Sequence, residues 1–303
     1  MSQYRQLLLI ASESMVRTPA FDLALALAKA TKAALHLCSF TNNHALTFVA
    51  HIDAAAALLA RSGVLQMHKT WLEEEACVLR TQGLQVTTEA VWSQPIDEDI
   101  VAHAKELPSD LIIKDVEYAS PLKRTLFTPL DWQLLRTCPT RLLLVNSAAH
   151  GLPKRIIAAV VPERLEQGVP DFNETLIREA LGLALQCEAE LHLIHAFDFR
   201  PMPDGTISGG ALPYSAEIYE EVLQAQKAAF TGLADRFGVP PERRHFLCGQ
   251  AESVLADFAR ENATDIIVMG TVHRTGLDRA LMGSTAERLL YRAPCSILAI
   301  RPQ

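Results

Sequence analysis

The chain repeats itself, and the repeat limits what it can fold into. "SDLIIKD" (Ser109 to Asp115) matches "TDIIVMG" (Thr264 to Gly270), and "CPTRLLLV" (Cys138 to Val145) matches "APCSILAI" (Ala293 to Ile300). Ser109 and Thr264 open the first pair, Cys138 and Ala293 the second, and both pairs lie 155 residues apart, so the segments between them align without a gap. Earlier segments pair with small shifts: "RQLLLIAS" with "KRIIAAVV", and "ALHLCSF" with "ELHLIHAF". A unit of about 150 residues is the size of one ordinary domain, so 303 residues hold two copies of one fold.

Within each copy, short Leu-, Ile- and Val-rich runs alternate with segments of helical periodicity. Leu7 to Ala11, Ala34 to Cys38, Leu111 to Lys114 and Arg141 to Val145 are nearly continuous apolar runs, the pattern of parallel strands covered on both faces. Leu176, Ile177, Ala180, Leu181 and Ala184 recur at helical spacing, with Arg178 and Glu179 expected on another face; Val254, Leu255, Phe258 and Ala259 repeat the pattern. The fold class is therefore α/β: two Rossmann-like units, each an open parallel sheet flanked by helices. The expected units are 1–148 and 152–303, joined near "NSAAHGLPK", where Gly151 and Pro153 punctuate a polar stretch. Two homologous copies ending in apolar strands predict that "RLLLV" and "SILAI" meet about a pseudo-two-fold axis and hide two edges at once.

Composition removes several classes of function. Nearly half the residues are apolar (49%) and 21% are charged, which suits buried cores rather than disorder. With 28 Lys and Arg against 35 Asp and Glu, and no basic run to track a phosphate backbone, nucleic acid is not an expected partner. The opening apolar run, Leu7 to Ala11, is too short for a signal peptide core or a membrane span, so no membrane association and a cytoplasmic location are expected. Cys38, Cys77, Cys138, Cys187, Cys248 and Cys295 form no C-x-x-C pair and predict buried, reduced thiols rather than disulfides or a zinc knuckle. His192 and His195, three apart on a predicted strand, point to opposite faces and cannot grip one metal; no metal ligands are assigned. His44 and His51 flank "ALTFVA", a segment the pattern does not place. No G-x-S-x-G or H-E-x-x-H signature is present, so a side-chain nucleophile has no support.

The duplication, together with "IIVMGTVHRTG", "MGSTAERLL" and "CSILAI" in the second copy and "FTPLDWQLLRTCP" (Phe127 to Pro139) in the first, resembles the tandem universal stress proteins. The resemblance implies an adenine-nucleotide-binding fold in which G-x-x-G-x9-G-S/T holds phosphate, with an Asp after the first strand on the adenosine side. Many members lack these residues and bind no ATP. Here Gly270 and Gly283-Ser284 match the two ends of that motif, with Thr285 following, but His273 stands where the middle glycine belongs and the adenosine-side position near Val161 carries no carboxylate. Physically, such a loop brings backbone N–H groups and a helix start to an anion, and glycines allow close approach or positive φ. A bland reading of the same residues also exists: "STAE" is a capping box, with Ser284 as N-cap and Glu287 three residues on.

In the first copy the 155-residue offset puts Asp115 at the position of Gly270, Tyr118 at His273 and Thr128-Pro129 at Gly283-Ser284. Pro129 suits a first helical position but offers no N–H, Asp131 supplies a capping carboxylate, and Asp115 repels phosphate, so the first copy is expected to hold no nucleotide. The expected function is a non-enzymatic binding or signalling module of the stress response with at most one weakened nucleotide site, formed by Gly270, His273, Gly283, Ser284 and Thr285 and taking ATP with Mg. Two alternatives are a slow ATP hydrolase at that loop and a binder of an apolar or acyl metabolite in the first copy. The chain is expected to be a pseudo-dimer in itself and able to form a homodimer. The Gly- and Pro-rich insert Phe199 to Val222 suits a flap over the strand ends.

Overall fold

The computed structural model describes residues 4–42, 46, 49, 51–117, 129–149, 151–162, 172–198, 216–271 and 284–301. The first half runs β1 (Gln6–Ile10), α1 (Pro19–Thr31), β2 (Ala34–Thr41), α2 (Ala54–Thr81), β3 (Val86–Trp92), α3 (Ile96–Glu106), β4 (Leu111–Asp115), α4 (Leu130–Thr137), β5 (Arg141–Val145). The second runs β6 (Arg155–Ala159), α5 (Phe172–Cys187), β7 (Glu190–Phe197), α6 (Ala216–Arg236), β8 (Arg244–Cys248), α7 (Ala251–Glu261), β9 (Ile266–Gly270), α8 (Ser284–Leu290), β10 (Ser296–Ile300).

All ten strands form one sheet in the order β3-β2-β1-β4-β5-β10-β9-β6-β7-β8. Pairing is parallel within each half, and β5 meets β10 antiparallel at the seam. In that ladder Leu143 faces Leu298, its own counterpart 155 residues on, so the pseudo-two-fold axis passes through this pair. The predicted meeting of "RLLLV" with "SILAI" is present, and it fuses the two expected sheets into one. Either strand alone would present an apolar edge; pairing removes both.

Strand side chains alternate between two helical layers. Leu7 and Leu9 join a core with α1, α2, α5 and α6, whereas Leu8 and Ile10 join one with α3, α4, α7 and α8. Each core crosses the seam, so the halves share apolar contacts as well as strand pairing. Two equivalent aspartates lock the strand starts: Asp110 Oδ2 accepts from the N–H groups of Arg5 and Gln6, and Asp265 Oδ2 from those of Lys154 and Arg155. Among the described residues, no helix is long and apolar enough to cross a membrane.

Three expectations need correction. Glu179 is buried rather than solvent-facing, because Arg141 of β5 reaches across the seam to bond it. Cys77 and Cys248 are exposed, while the other four cysteines are buried; all six are free thiols. Pro129 is the N-cap of α4 rather than its first helical residue. On the α7 stripe, Leu255 and Ala259 are buried as expected, while Val254 and Phe258 are only half-buried. His192 and His195 do lie on opposite faces: His192 meets His245, whereas His195 packs among Phe197, Phe230 and Phe246. His51 is exposed; His44, and residues 199–215 of the insert, lie outside the described residues, and the insert's remainder starts α6.

Candidate functional site

In an open parallel sheet, ligands bind beyond the carboxyl ends of the strands where the order of connection reverses. Here those points lie between β1 and β4 and between β6 and β9.

At the first point the chain supplies its own charges. Asp115, at the end of β4, accepts at Oδ1 from the Ala20 N–H of α1 (3.0 Å), and the Thr18 hydroxyl accepts from Phe21 N–H. A carboxylate therefore holds the helix start that would otherwise favour a ligand anion. Beside it, Asp131 of α4 is fully buried; its Oδ2 accepts from the Glu117 N–H (2.8 Å) and its Oδ1 meets Lys114 Nζ (3.0 Å). Lys114 also donates to Glu117 (2.7 Å) and to the Asp115 carbonyl. Burial works against the charged ammonium, but the Asp131 and Glu117 carboxylates raise the Lys114 pKa above its ordinary value. The role expected of Asp131 is corrected: its carboxylate bonds a loop N–H from beyond β4 and neutralises a buried lysine rather than bonding an N–H of its own helix. Tyr118 and Thr128 lie outside the described residues.

The second point carries no such network among the described residues. Gly270 ends β9 without positive φ; a Cβ built there would lie 2.5 Å from Phe172 Cε1. Phe172 is half-buried and is the first residue of α5. Counting back from the paired helix ends Thr31 and Cys187, α5 begins earlier than α1, and this added turn carries the ring over the strand end. The expected reason for Gly270 is therefore incomplete: the packed Phe172 ring, not positive φ, excludes a side chain. The Asn173 side chain brackets Val161, accepting from Val161 N–H (3.0 Å) and donating to the Val161 carbonyl (2.9 Å). His195, buried beneath, contacts the Val160 carbonyl through Nδ1 (3.0 Å).

His273 and Gly283 lie outside the described residues, as does the Ser284 side chain; Ser284 opens α8 and Thr285, half-buried, follows. The Ser284 side of the expected capping box lies outside the described residues. Glu287 accepts from Arg136 Nε of α4 (2.7 Å) and tethers the two halves. Sequence reasoning missed Phe172, Asn173 and Lys114, because each acts through a neighbour distant in sequence.

The fold and its two switch points define a tandem Rossmann-like α/β protein. The Universal stress protein family model matches residues 3–146 and 170–301, and the chain belongs to that family. It is 28% identical to Universal stress protein E of Escherichia coli K12 over 308 residues, covering 100% of this chain and 95% of that one. Universal stress protein E of Photorhabdus laumondii is 30% identical over 245 residues, 80% of this chain and 77% of that one. A functionally unknown protein from Pseudomonas aeruginosa has a crystal structure that superposes with a TM-score of 0.74 at 26% identity, covering 99% of this chain and 93% of that one.

Proposed function

We propose that this universal stress protein is a non-enzymatic binding module with one nucleotide crevice, at the ends of β6 and β9. The asymmetry between the switch points carries the proposal. The first is filled by Asp115, Asp131 and Lys114, whereas the second ends in an uncharged glycine. ATP with Mg would meet Gly270, Ser284, Thr285 and the loop containing His273 and Gly283 on its phosphate side. Phe172 and Asn173 would border it toward the adenosine. The missing carboxylate near Val161 removes a ribose hydrogen bond worth about 1.5–3 kcal/mol, roughly ten- to a hundredfold in affinity.

Calorimetry of the full chain with Mg·ATP tests this. Weak, Mg-dependent heats are expected, reduced in Ser284→Ala and increased in Phe172→Ala; His273→Gly strengthens binding if the imidazole obstructs and weakens it if the imidazole is a phosphate ligand. Flat heats for all proteins at millimolar ATP refute the nucleotide site. Phosphate release above the buffer rate that is lost in Ser284→Ala refutes the non-enzymatic assignment.

A further inference from the structure

A second cluster lies at the outer edge of the first half, away from either switch point. The β2–β3 register sets His36 opposite Thr87 and Cys38 opposite Glu89, all on one face of the sheet. His103, on α3, covers that face; its ring stacks on His36 with centroids 5.2 Å apart. One donor atom from each of His36, Cys38 and His103 lies within 4.8 Å of the others. Glu89 Oε2 stands 3.9 Å from both His36 Nε2 and His103 Nδ1.

We propose that His36, Cys38, His103 and Glu89 bind one zinc ion. A tetrahedral site with bonds of about 2.0–2.3 Å sets donors roughly 3.3–3.8 Å apart, so side-chain shifts of about 1 Å complete it. Two thiolate and carboxylate charges neutralise the dication, which suits a pocket this buried. His36 is nearly buried, and its Nε2 has no hydrogen-bond partner; His103 Nε2 is likewise buried without one. The other His36 nitrogen, Nδ1, is 2.7 Å from Thr87 Oγ1, the arrangement that orients a metal-bound imidazole. The half-exposed Glu89 side chain, on an edge strand, provides an entry path.

The second half keeps a histidine, His192, at the position of His36 but shows that packing requires neither the thiol nor the helix imidazole. Strand registers align His36 with His192 and Cys38 with Ile194, and the matched helices α3 and α7 align His103 with Phe258. The same fold position is thus filled there by Ile and Phe, whereas the first half places a thiol and an imidazole. Zinc binding replaces the Cys38 thiol proton, which leaves to solvent.

The test uses full-length protein, stripped with chelator and kept reduced, titrated with Zn(II) and with Co(II) as a spectroscopic probe. One equivalent should bind, with a thiolate-to-cobalt charge-transfer band and tetrahedral ligand-field bands. Cys38→Ala should lose the charge-transfer band and His103→Phe the tight equivalent, with the fold verified by circular dichroism. Thr87→Val should weaken zinc binding about ten- to a hundredfold. Cys77→Ser/Cys248→Ser, which removes the exposed thiols, should bind as wild type does. The proposal fails if wild type binds zinc no better than His103→Phe, if the band survives in Cys38→Ala, or if it vanishes in Cys77→Ser/Cys248→Ser. Binding of copper without zinc overturns the choice of metal.

Discussion

Lys114→Met converts one residue of the first switch point to its counterpart in the second, Met269, and isolates a buried charge. Wild-type Asp131 is fully buried, bonded to Lys114 Nζ and to the Glu117 N–H. With the ammonium gone only the N–H remains, and breaking a buried pair in this way costs about 3–5 kcal/mol. Adding Asp131→Ala gives the second half's apolar pair, Met and Ala. The remaining penalty is then the Glu117 N–H without its acceptor plus a small cavity, about 1–2 kcal/mol. The double variant should therefore be more stable than Lys114→Met by roughly 2–3 kcal/mol, reversing the usual order of single and double substitutions. Urea unfolding followed by circular dichroism and by tryptophan fluorescence measures this, coincidence of the two transitions licensing a two-state treatment. A pH series supplies an independent check. Burial raises the Asp131 carboxyl pKa, and Lys114 opposes that rise, so its removal widens the gap from the unfolded value. The folded state then holds its proton to higher pH than the unfolded state, and Lys114→Met should gain stability as pH falls from 7 toward 5. Penalties that add to within about 0.5 kcal/mol across the cycle would refute the coupled pair.

Three further outcomes follow from the same geometry. Gly270→Ala should destabilise the protein by about 1–3 kcal/mol through overpacking against Phe172, and Phe172→Leu should recover much of the loss; equal penalties in both backgrounds would show that the ring does not set the glycine. Asp115→Ala should lower stability by about 1 kcal/mol by uncapping α1 at Ala20, read by thermal unfolding, and should create no ATP binding because Asp131 and Pro129 remain. Burial lowers the His195 pKa, so its contribution to stability is complete above the unfolded value near 6.5 and falls as pH drops toward the lower folded value; His195→Phe, among Phe197, Phe230 and Phe246, should make the denaturant midpoint fall less steeply between pH 7 and 5, with the other histidines lowered by burial keeping the rest of the slope, and an unchanged slope would refute the His195 contribution.

Much of this protein was legible in the chain itself. The duplication, the parallel strands of each copy and the meeting of "RLLLV" with "SILAI" follow from apolar periodicity and from the rule that apolar edges must be covered. The first copy's departure from the glycine pattern of the second was visible too, since Asp115 and Pro129 stand at fixed offsets from Gly270 and Ser284. Periodicity, however, reports only which face a residue occupies, not what approaches that face. Periodicity placed Glu179 off the apolar stripe but not its burial, because its partner, Arg141, comes from the other half of the chain. Gly270 was read as allowing close approach or positive φ, yet φ is not positive there and a Cβ would clash with Phe172, which lies on a different element. His36, Cys38 and His103 have no metal-ligand spacing in sequence; strand register and the docking of α3 bring them together. Local sequence determines backbone pattern through short-range sterics and solvent exclusion. Contacts between side chains far apart in the chain depend on how the layers pack, and only the tertiary structure decides them.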